Sequence, residues 1–536
     1  MRTPLILSVA AAAVLSINLQ ADETSDRMEA MEAQIEQLQE ELAALKGGGE
    51  AEAADEERGD SEEEDDTAER LTDLEDQVSN INKNTAGSHL KFGVDFRTAV
   101  DNLRYKMAGK AYNPNSGLYD GKDTQGNDAF LTNRLWINMD WLATDNMSFT
   151  GQLAYNKAFG YRAGFGEGYY PGFETFDWIT NENAYDDVVR VRSAYFFYRN
   201  DTFFGTDVPW TFSIGRRPST NGHLINFRDN DLPASPMGHN INVEFDGLSS
   251  KFTLENLTGV EGMYAKFCAG RGATNANAKF FTVDMSTGTP NMMAPYVTND
   301  NDHVQDIDLA GLIFVPYDDG QYSIGTQYYY AAHLIDADLE PTPNGYVYTG
   351  MQDVGNMHAL TANLTVYGIG DGISDFLDDS LFFVSGAWSI TEPKKGVEGG
   401  MLGSTDSKTG SSYWVGVQTP TGFSEQGRFG LEFNHGDKYW RSITYAEDTD
   451  IGSKVAARGN AYEAYYTEYL IEDVFSFQIR YTYIDYDYTG SNGFFGGSTG
   501  TPYKIEDIKD GLYGPQMAAM TVDTAQDIRF YLRYRY

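Results

Sequence analysis

Residues 218–240 read PSTNGHLINFRDNDLPASPMGHN and directly follow Arg216 and Arg217. The segment carries Arg228, Asp229 and Asp231. Guanidinium and carboxylate groups that face each other across water set a transverse field, and such a field sorts ions. Arg216, Arg217, Arg228, Asp229 and Asp231 are therefore candidates for a constriction. The competing reading is ordinary surface charge on a loop.

A second basic set lies on alternating positions. Lys91, Arg97, Arg134, Arg190, Arg192, Arg480, Arg529, Arg533 and Arg535 share a face with Asp95, Asp140, Asp308 and Asp527. An arginine-rich wall favours anions or holds a carboxylate-bearing solute. Its competing reading is structural, with each arginine paired to a loop carboxylate.

Signals for covalent chemistry are weak. Gly496 to Gly500 spells G-x-S-x-G around Ser498, but that motif needs a strand before it and a helix after it, and it lies in a glycine-rich stretch. His89, His223, His239, His303, His333, His358 and His435 show no metalloprotease spacing. Gly164, Gly166 and Gly168 lack the following helix and lysine of a phosphate cradle. Asp120, Asp123 and Asp128 do not match a calcium loop. The sequence predicts neither an enzyme nor a cofactor nor a metal.

The elements that must position these charges have a period of two. Leu90, Phe92, Val94 and Phe96 alternate with Lys91, Gly93, Asp95 and Arg97. Leu135, Ile137, Met139 and Trp141 alternate with Arg134, Asn138 and Asp140. The pattern recurs with Met147, Phe149, Leu153 and Tyr155, with Val189, Val191, Tyr195 and Phe197, with Trp210, Phe212 and Ile214, and with Phe475, Phe477, Ile479, Tyr481 and Tyr483. Segments of about ten alternating residues mark transmembrane β-strands. A soluble sandwich alternates too, so the connections must decide. Residues 143–146, 200–207, 317–320 and 470–474 make short links. Residues 102–127, 158–187, 218–240, 271–302, 334–355, 435–459 and 489–524 make long ones. Short turns at one end and long loops at the other are the rhythm of an outer-membrane barrel. The expected fold is an all-β, antiparallel transmembrane barrel of about sixteen strands (range 14–18) over residues 89–536. An even strand number puts both barrel ends in the periplasm, and residues 218–240 become the third outer loop, which in sixteen-strand porins commonly folds into the lumen.

Residues 1–21 read as a signal peptide: Arg2, an apolar run from Leu5 to Ile17, and Ala21 at the cleavage site. Over residues 22–46, Met28, Met31, Ile35, Leu38, Leu42 and Leu45 form the a/d seam of a short α-helical coiled coil. Residues 47–70 form an acidic flexible linker, and 71–85 a second heptad helix. Two such short blocks bury their seams by pairing between chains, which makes a homo-oligomer, with a trimer as one form, the expected partner state. A periplasmic stalk reaching the peptidoglycan is the other use of such a segment.

Composition excludes several classes. The net charge is −40, from 39 basic and 79 acidic residues, which disfavours nucleic acid. Fourteen per cent aromatic residues disfavour general disorder. Cys268 is the one cysteine and permits no internal disulfide.

The chain ends DIRFYLRYRY. Ile528, Phe530, Leu532, Tyr534 and Tyr536 lie on one face, with the arginines on the other. A last strand ending in an aromatic residue resembles the assembly signal of outer-membrane barrels, carried here by Phe530, Leu532, Tyr534 and Tyr536. The runs 131–157, 212–222, 427–466 and 479–497, with this ending, resemble the bacterial envelope family catalogued as domain-of-unknown-function family 3373. That resemblance implies an outer-membrane porin behind an N-terminal coiled coil and carries over no catalytic residue. The expected function is passive diffusion of small hydrophilic solutes or ions. Two rivals are a barrel that sheathes an electron-carrying cytochrome and a tether between outer membrane and cell wall.

Overall fold

The computed structural model describes residues 90–536, apart from 161–188, 220–221, 233, 278–281, 285–286, 292–297, 300–304, 343–344, 371 and 445–448. The signal peptide, the heptad segments and the acidic linker lie outside the described residues, as do Gly164, Gly166 and Gly168.

Sixteen antiparallel strands close into one barrel. They are β1 (Leu90–Met107), β2 (Thr124–Thr144), β3 (Met147–Ala158), β4 (Arg190–Asn200), β5 (Trp210–Ser219), β6 (Val243–Thr253), β7 (Tyr264–Ala273) and β8 (Ile307–Asp318). There follow β9 (Tyr322–Thr342), β10 (Gly345–Tyr367), β11 (Leu381–Pro393), β12 (Thr409–Thr421), β13 (Ser424–Gly436), β14 (Gly459–Ile471), β15 (Phe475–Tyr486) and β16 (Val522–Arg535). Each strand pairs with its sequence neighbours, and β1 pairs with β16 to seal the ring, from Asp95 opposite Arg535 to Met107 opposite Val522. Closure leaves no free edge, so every strand's backbone donors and acceptors face a partner.

The period-two pattern becomes an inside and an outside. Along β16, Ile528, Phe530, Leu532 and Tyr534 are exposed, while Asp527, Arg529, Tyr531 and Arg533 are buried within the ring. Phe96, Trp141, Phe196, Ile214, Phe267, Leu312, Leu360, Trp388, Leu431 and Ile479 extend the exposed apolar surface around the other strands. Water does not tolerate a continuous surface of this size on a monomer. Hydrocarbon does.

Two strand expectations need correction. In β4, Val191 and Tyr195 were expected on one face. The register shifts by a bulge, with Gln152 opposite Ser193 and Leu153 opposite Val191. Arg192 is the extra residue, and a one-residue insertion exchanges the faces beyond it. Phe196 is thus exposed, and Tyr195 turns inward beneath Arg217. The second correction concerns residues 334–355, expected as a long loop. Strands β9 and β10 stay paired there, from Leu334 opposite Gly355 to Thr342 opposite Gly345. Bulges near Leu334 and Asp338 interrupt the register, which blurs the alternation in sequence.

The lumen is not empty. The described parts of three long connections, 222–232 with 234–242, 437–444 with 449–458, and 487–521, turn inward and build the buried cores. One core joins Leu224, Ile225 and Phe227 of the first to Leu381, Phe383, Trp414 and Val455. Another joins Ile241, Ile443, Phe494 and Phe495 to β6, β8, β9 and β10. The loops also bind one another. Asn242 N donates to Ile443 O at 2.9 Å, and Ile443 N donates to Asn240 O at 3.0 Å. Arg441 reaches Ser491 O at 2.6 Å, and Arg458 reaches Gly500 O at 2.8 Å.

Candidate functional site

The third long loop enters the lumen through a short 3-10 turn, Ile225–Phe227, seated on β11 and β12. Its charged tail then crosses to the opposite wall. Arg228 is 1% exposed and lies 3.4 Å from Glu463 of β14 and 3.4 Å from Asp229. Asp229 accepts from the Tyr531 hydroxyl at 2.8 Å. Asp231 accepts from Arg533 at 2.8 Å and Arg535 at 3.0 Å. Asn230 donates to the Tyr469 hydroxyl at 2.7 Å.

Three ionic groups hold this arrangement. In the first, Lys454 of the 437–458 loop lies 2.6 Å from Glu432 of β13 and also contacts Glu463. Trp414 Nε1 donates to Glu432 at 2.9 Å and Thr482 to Glu463 at 2.9 Å. With Arg228, Arg480 and Asp229, the group balances three cations and three anions in a water-poor space. In the second, Arg529 contacts Asp101 of β1 and lies 2.5 Å from Asp450. In the third, Arg533 lies 2.5 Å from Asp95, and Arg134 lies 3.5 Å from the same carboxylate. Arg134 and Arg192 both lie over the Trp136 ring, at 3.7 and 4.3 Å.

The five expected constriction residues therefore divide. Arg228, Asp229 and Asp231 come together on the β14–β16 side. Arg216 and Arg217 do not join them. Arg216 lies 3.1 Å from buried Glu244, which also takes Arg192 at 3.4 Å. Arg217 donates to Ser249 at 3.0 Å and covers the Tyr195 ring at 4.5 Å. The loop reaches its partners across the lumen, and sequence proximity to Arg216 carries no such information. Of the expected basic wall, Arg134, Arg192, Arg480, Arg529 and Arg533 are buried inside, Arg535 is half-buried and Arg190 is exposed at the start of β4; Asp308, expected on the same face, instead lies half-exposed 2.8 Å from Arg271, while its neighbours Ile307 and Leu309 are buried. Ser498 is held structurally: its hydroxyl donates to Ala337 O at 2.8 Å and its N–H to Asp336 at 2.8 Å.

The loop's second anchor is His239, wholly buried. Its ring nitrogens contact Ser385 at 2.8 Å and Ser412 at 2.9 Å, between Trp414 and Trp440. Burial without a carboxylate partner pushes the imidazole down to about 3. It is a neutral clasp at neutral pH.

Away from these clasps, β5, β6 and β7 present half-buried Arg217, Lys251 and Lys266 on the inner face. Lys251 stands directly opposite Lys266 in the register. The inner orientation follows from Ser213 and Ser249, whose buried hydroxyls lie 3.0 Å apart on the same face. Neither lysine was singled out from sequence. The β6 run VEFDGLSSKFT hides its alternation behind small residues and Gly247.

Glycine makes that stretch of wall possible. A Cβ on Gly270 would stand 2.1 Å from the Phe245 ring, and one on Gly247 2.2 Å from Ala269 O. Only glycine lets Phe245 fold onto its neighbour strand and enter the lumen core.

A closed, sixteen-strand antiparallel barrel with an apolar exterior, a charged interior and in-folded long loops is the class these features define. The chain belongs to the family described as protein of unknown function (DUF3373), whose profile matches residues 124–536. No curated protein matches it. Among solved structures it is similar to the trimer form of OmpT from Vibrio cholerae, with 11% identity, 83% of this chain and 99% of that chain covered and a TM-score of 0.41. It is similar to Pseudomonas putida OprB, with 11% identity, 84% and 96% coverage and a TM-score of 0.41. An anion-selective porin from Comamonas acidovorans is similar at 9% identity, 83% and 99% coverage and a TM-score of 0.41.

Proposed function

We propose that this barrel resides in a bacterial outer membrane and passes small hydrophilic solutes or ions by diffusion, through a lumen narrowed by its own loops. The observation that carries the reading is an exposed apolar face carried around a closed ring, over an inner face that is charged and polar along β1, β2 and β13 to β16 and apolar along β8. An apolar exterior suits lipid, and a polar interior substitutes for the water that a solute would lose in hydrocarbon. The solute's own gradient drives transport. The loops set the bore, and no residue is required to change covalently.

The loop-packed lumen speaks against a sheath around a cytochrome. Trp414, Trp440, Arg441 and Arg458 are wholly buried there, where a guest protein would need space. The heptad segment favours a second, additional role. Self-pairing over residues 22–46 would hold barrels together or reach the cell wall. Deleting residues 22–88 separates the roles: membrane blebbing with normal solute uptake supports the tether.

Reconstitution into planar bilayers tests the main reading. Discrete conductance steps, and swelling of proteoliposomes in small sugars or amino acids, are expected. Correctly folded protein that conducts nothing and admits no solute overturns it.

A further inference from the structure

We propose that the cavity beneath the 487–521 loop binds a neutral, polyhydroxylated solute of one or two sugar rings. The inference rests on the reading of the barrel as a conduit and names the solute class that its mouth would capture.

The cavity measures about 370 Å³ and lies between the 487–521 loop, Ile451 of the 437–458 loop and the end of β1. Ligand pockets run from about 300 to 1,000 Å³, so this one suits a small solute. Tyr105 near the end of β1 and Val522 at the start of β16 both line it, which puts it at the end of the barrel where the long connections lie. Its floor continues a buried core through Tyr105, Ile451, Tyr486 and Met517. Asn492, Tyr503 and Met520 are exposed and form its rim.

The lining selects the ligand partly by what it omits. The chain has a net charge of −40, and the nearby lumen is tied by ion pairs such as Arg529 with Asp450. Among the described residues around this cavity, none bears a carboxylate, ammonium or guanidinium group. A charged solute would shed water there and meet no counter-charge among them. Four tyrosines, Tyr105, Tyr486, Tyr488 and Tyr503, line the cavity together with Asn492 and several serines and threonines. Tyrosine offers an apolar face and a hydroxyl edge, and a side-chain amide both donates and accepts. A purely apolar solute would leave those edges unpaired, at a cost. A sugar ring has C–H faces for the tyrosines and hydroxyl groups for the edges.

The walls are set before a ligand arrives. Arg458 Nη1, behind the loop, donates to Thr489 O and to Gly500 O at 2.8 Å each. Thr489 N donates to Tyr503 O at 3.0 Å, and Tyr503 N donates back to Thr489 Oγ1 at 2.9 Å. The Tyr503 ring stands edge-on to Tyr513, with centroids 5.0 Å apart. The Tyr105 hydroxyl donates to Asp450 O at 3.2 Å. Walls already ordered lose little entropy on binding. Met517 and Met520, on the helix Gly514–Met520, supply the adaptable side.

Glucose and maltose are the probes, titrated by calorimetry into the full barrel in detergent. Saturable binding of at least one is expected. The double variant Tyr488→Ala, Tyr503→Ala should bind it about tenfold or more weakly, because two aromatic contacts are lost. Tyr503→Phe should retain most of the binding. Heat-modifiable gel mobility reports whether each variant is a closed barrel, and Tyr503→Ala alone, on the exposed rim, gives the same reading if the double variant fails to close. Wild-type protein that conducts while neither sugar binds overturns the site and leaves the porin reading standing. Sugar binding by a barrel that conducts nothing overturns the porin reading and keeps the site. Tighter binding of toluene or glucuronate than of both sugars overturns the ligand class. Equal binding by the variants assigns the sugar elsewhere and overturns the proposal.

Discussion

Arg533 Nη2 and Asp231 Oδ1 lie 2.8 Å apart, and this contact ties the last strand to the in-folded loop that carries Arg228 and Asp229. Arg533 keeps Asp95 as a second partner through Nε at 3.0 Å. Asp231→Ala should therefore release the loop and leave the β1–β16 seam intact. The loss is about 1.5–3 kcal/mol for hydrogen bonds to charged groups. Single-channel conductance should rise and become noisier. Unchanged conductance would mean that the charged tail does not limit the bore.

Lys454 is the cation on which Glu432 and Glu463 converge. Lys454→Met leaves those carboxylates short of one positive charge in a buried space. Removing one member of a buried ionic group costs about 3–5 kcal/mol. The urea midpoint of the detergent-folded barrel should fall clearly, and adding Glu432→Gln should recover part of the loss. An additive loss in the double variant would contradict the coupling.

The His239 clasp predicts an acid response with a definite sign. Released from its pocket, the imidazole takes a proton near its ordinary 6.5, whereas in place it resists protonation down to about 3. The released state thus binds more protons across that window, and clasp stability falls as pH drops from 6.5 towards 3. At pH 5 the loss is about 2 kcal/mol, from one and a half pH units. Conductance should rise between pH 7 and pH 4.5, and His239→Asn should flatten that rise. A profile identical in the variant would remove His239 from the response.

The lipid face makes a positional prediction. Phe530 and Tyr534 share the exposed side of β16, but Phe530 is nearer the middle of the strand. Arginine at the midplane costs roughly 2–4 kcal/mol and near the interface about 0–1 kcal/mol. Phe530→Arg should reduce assembled barrel much more than Tyr534→Arg, as read by heat-modifiable mobility in outer-membrane fractions. Equal effects would place the midplane elsewhere.

Strand existence and inward parity were legible in residues such as Arg529 to Tyr534, because burial on one side only forces a period of two. Loop rhythm was legible where glycine, proline and asparagine collect and alternation stops, but not over residues 334–355, where bulges in paired strands imitate a loop. Parity failed in β4, where Arg192 is one residue too many and nothing local in VRVRSAYFF announces a bulge. The site was legible only in part. The Arg228 to Asp231 tail stood out as mixed charge, but its partners Glu463, Tyr531 and Arg533 lie more than two hundred residues away. Lys251 and Lys266 gain meaning only through the register that sets them opposite each other. Pairing across strands is a long-range fact, and composition cannot report it.

The seam between β1 and β16 has a consequence for biogenesis. Val94 N donates to Tyr536 O at 2.7 Å, and Tyr536 N donates to Val94 O at 2.8 Å. The ring is thus locked by bonds between its first strand and the residue at the far end of its last. Joining segments so far apart is slow, because closure entropy comes before any reward. Until that moment the sheet has two bare edges, which hydrocarbon penalises at every unsatisfied amide. Removing β16 alone would leave β1 and β15 each with a bare edge, so closure depends on the last segment of the chain to be made.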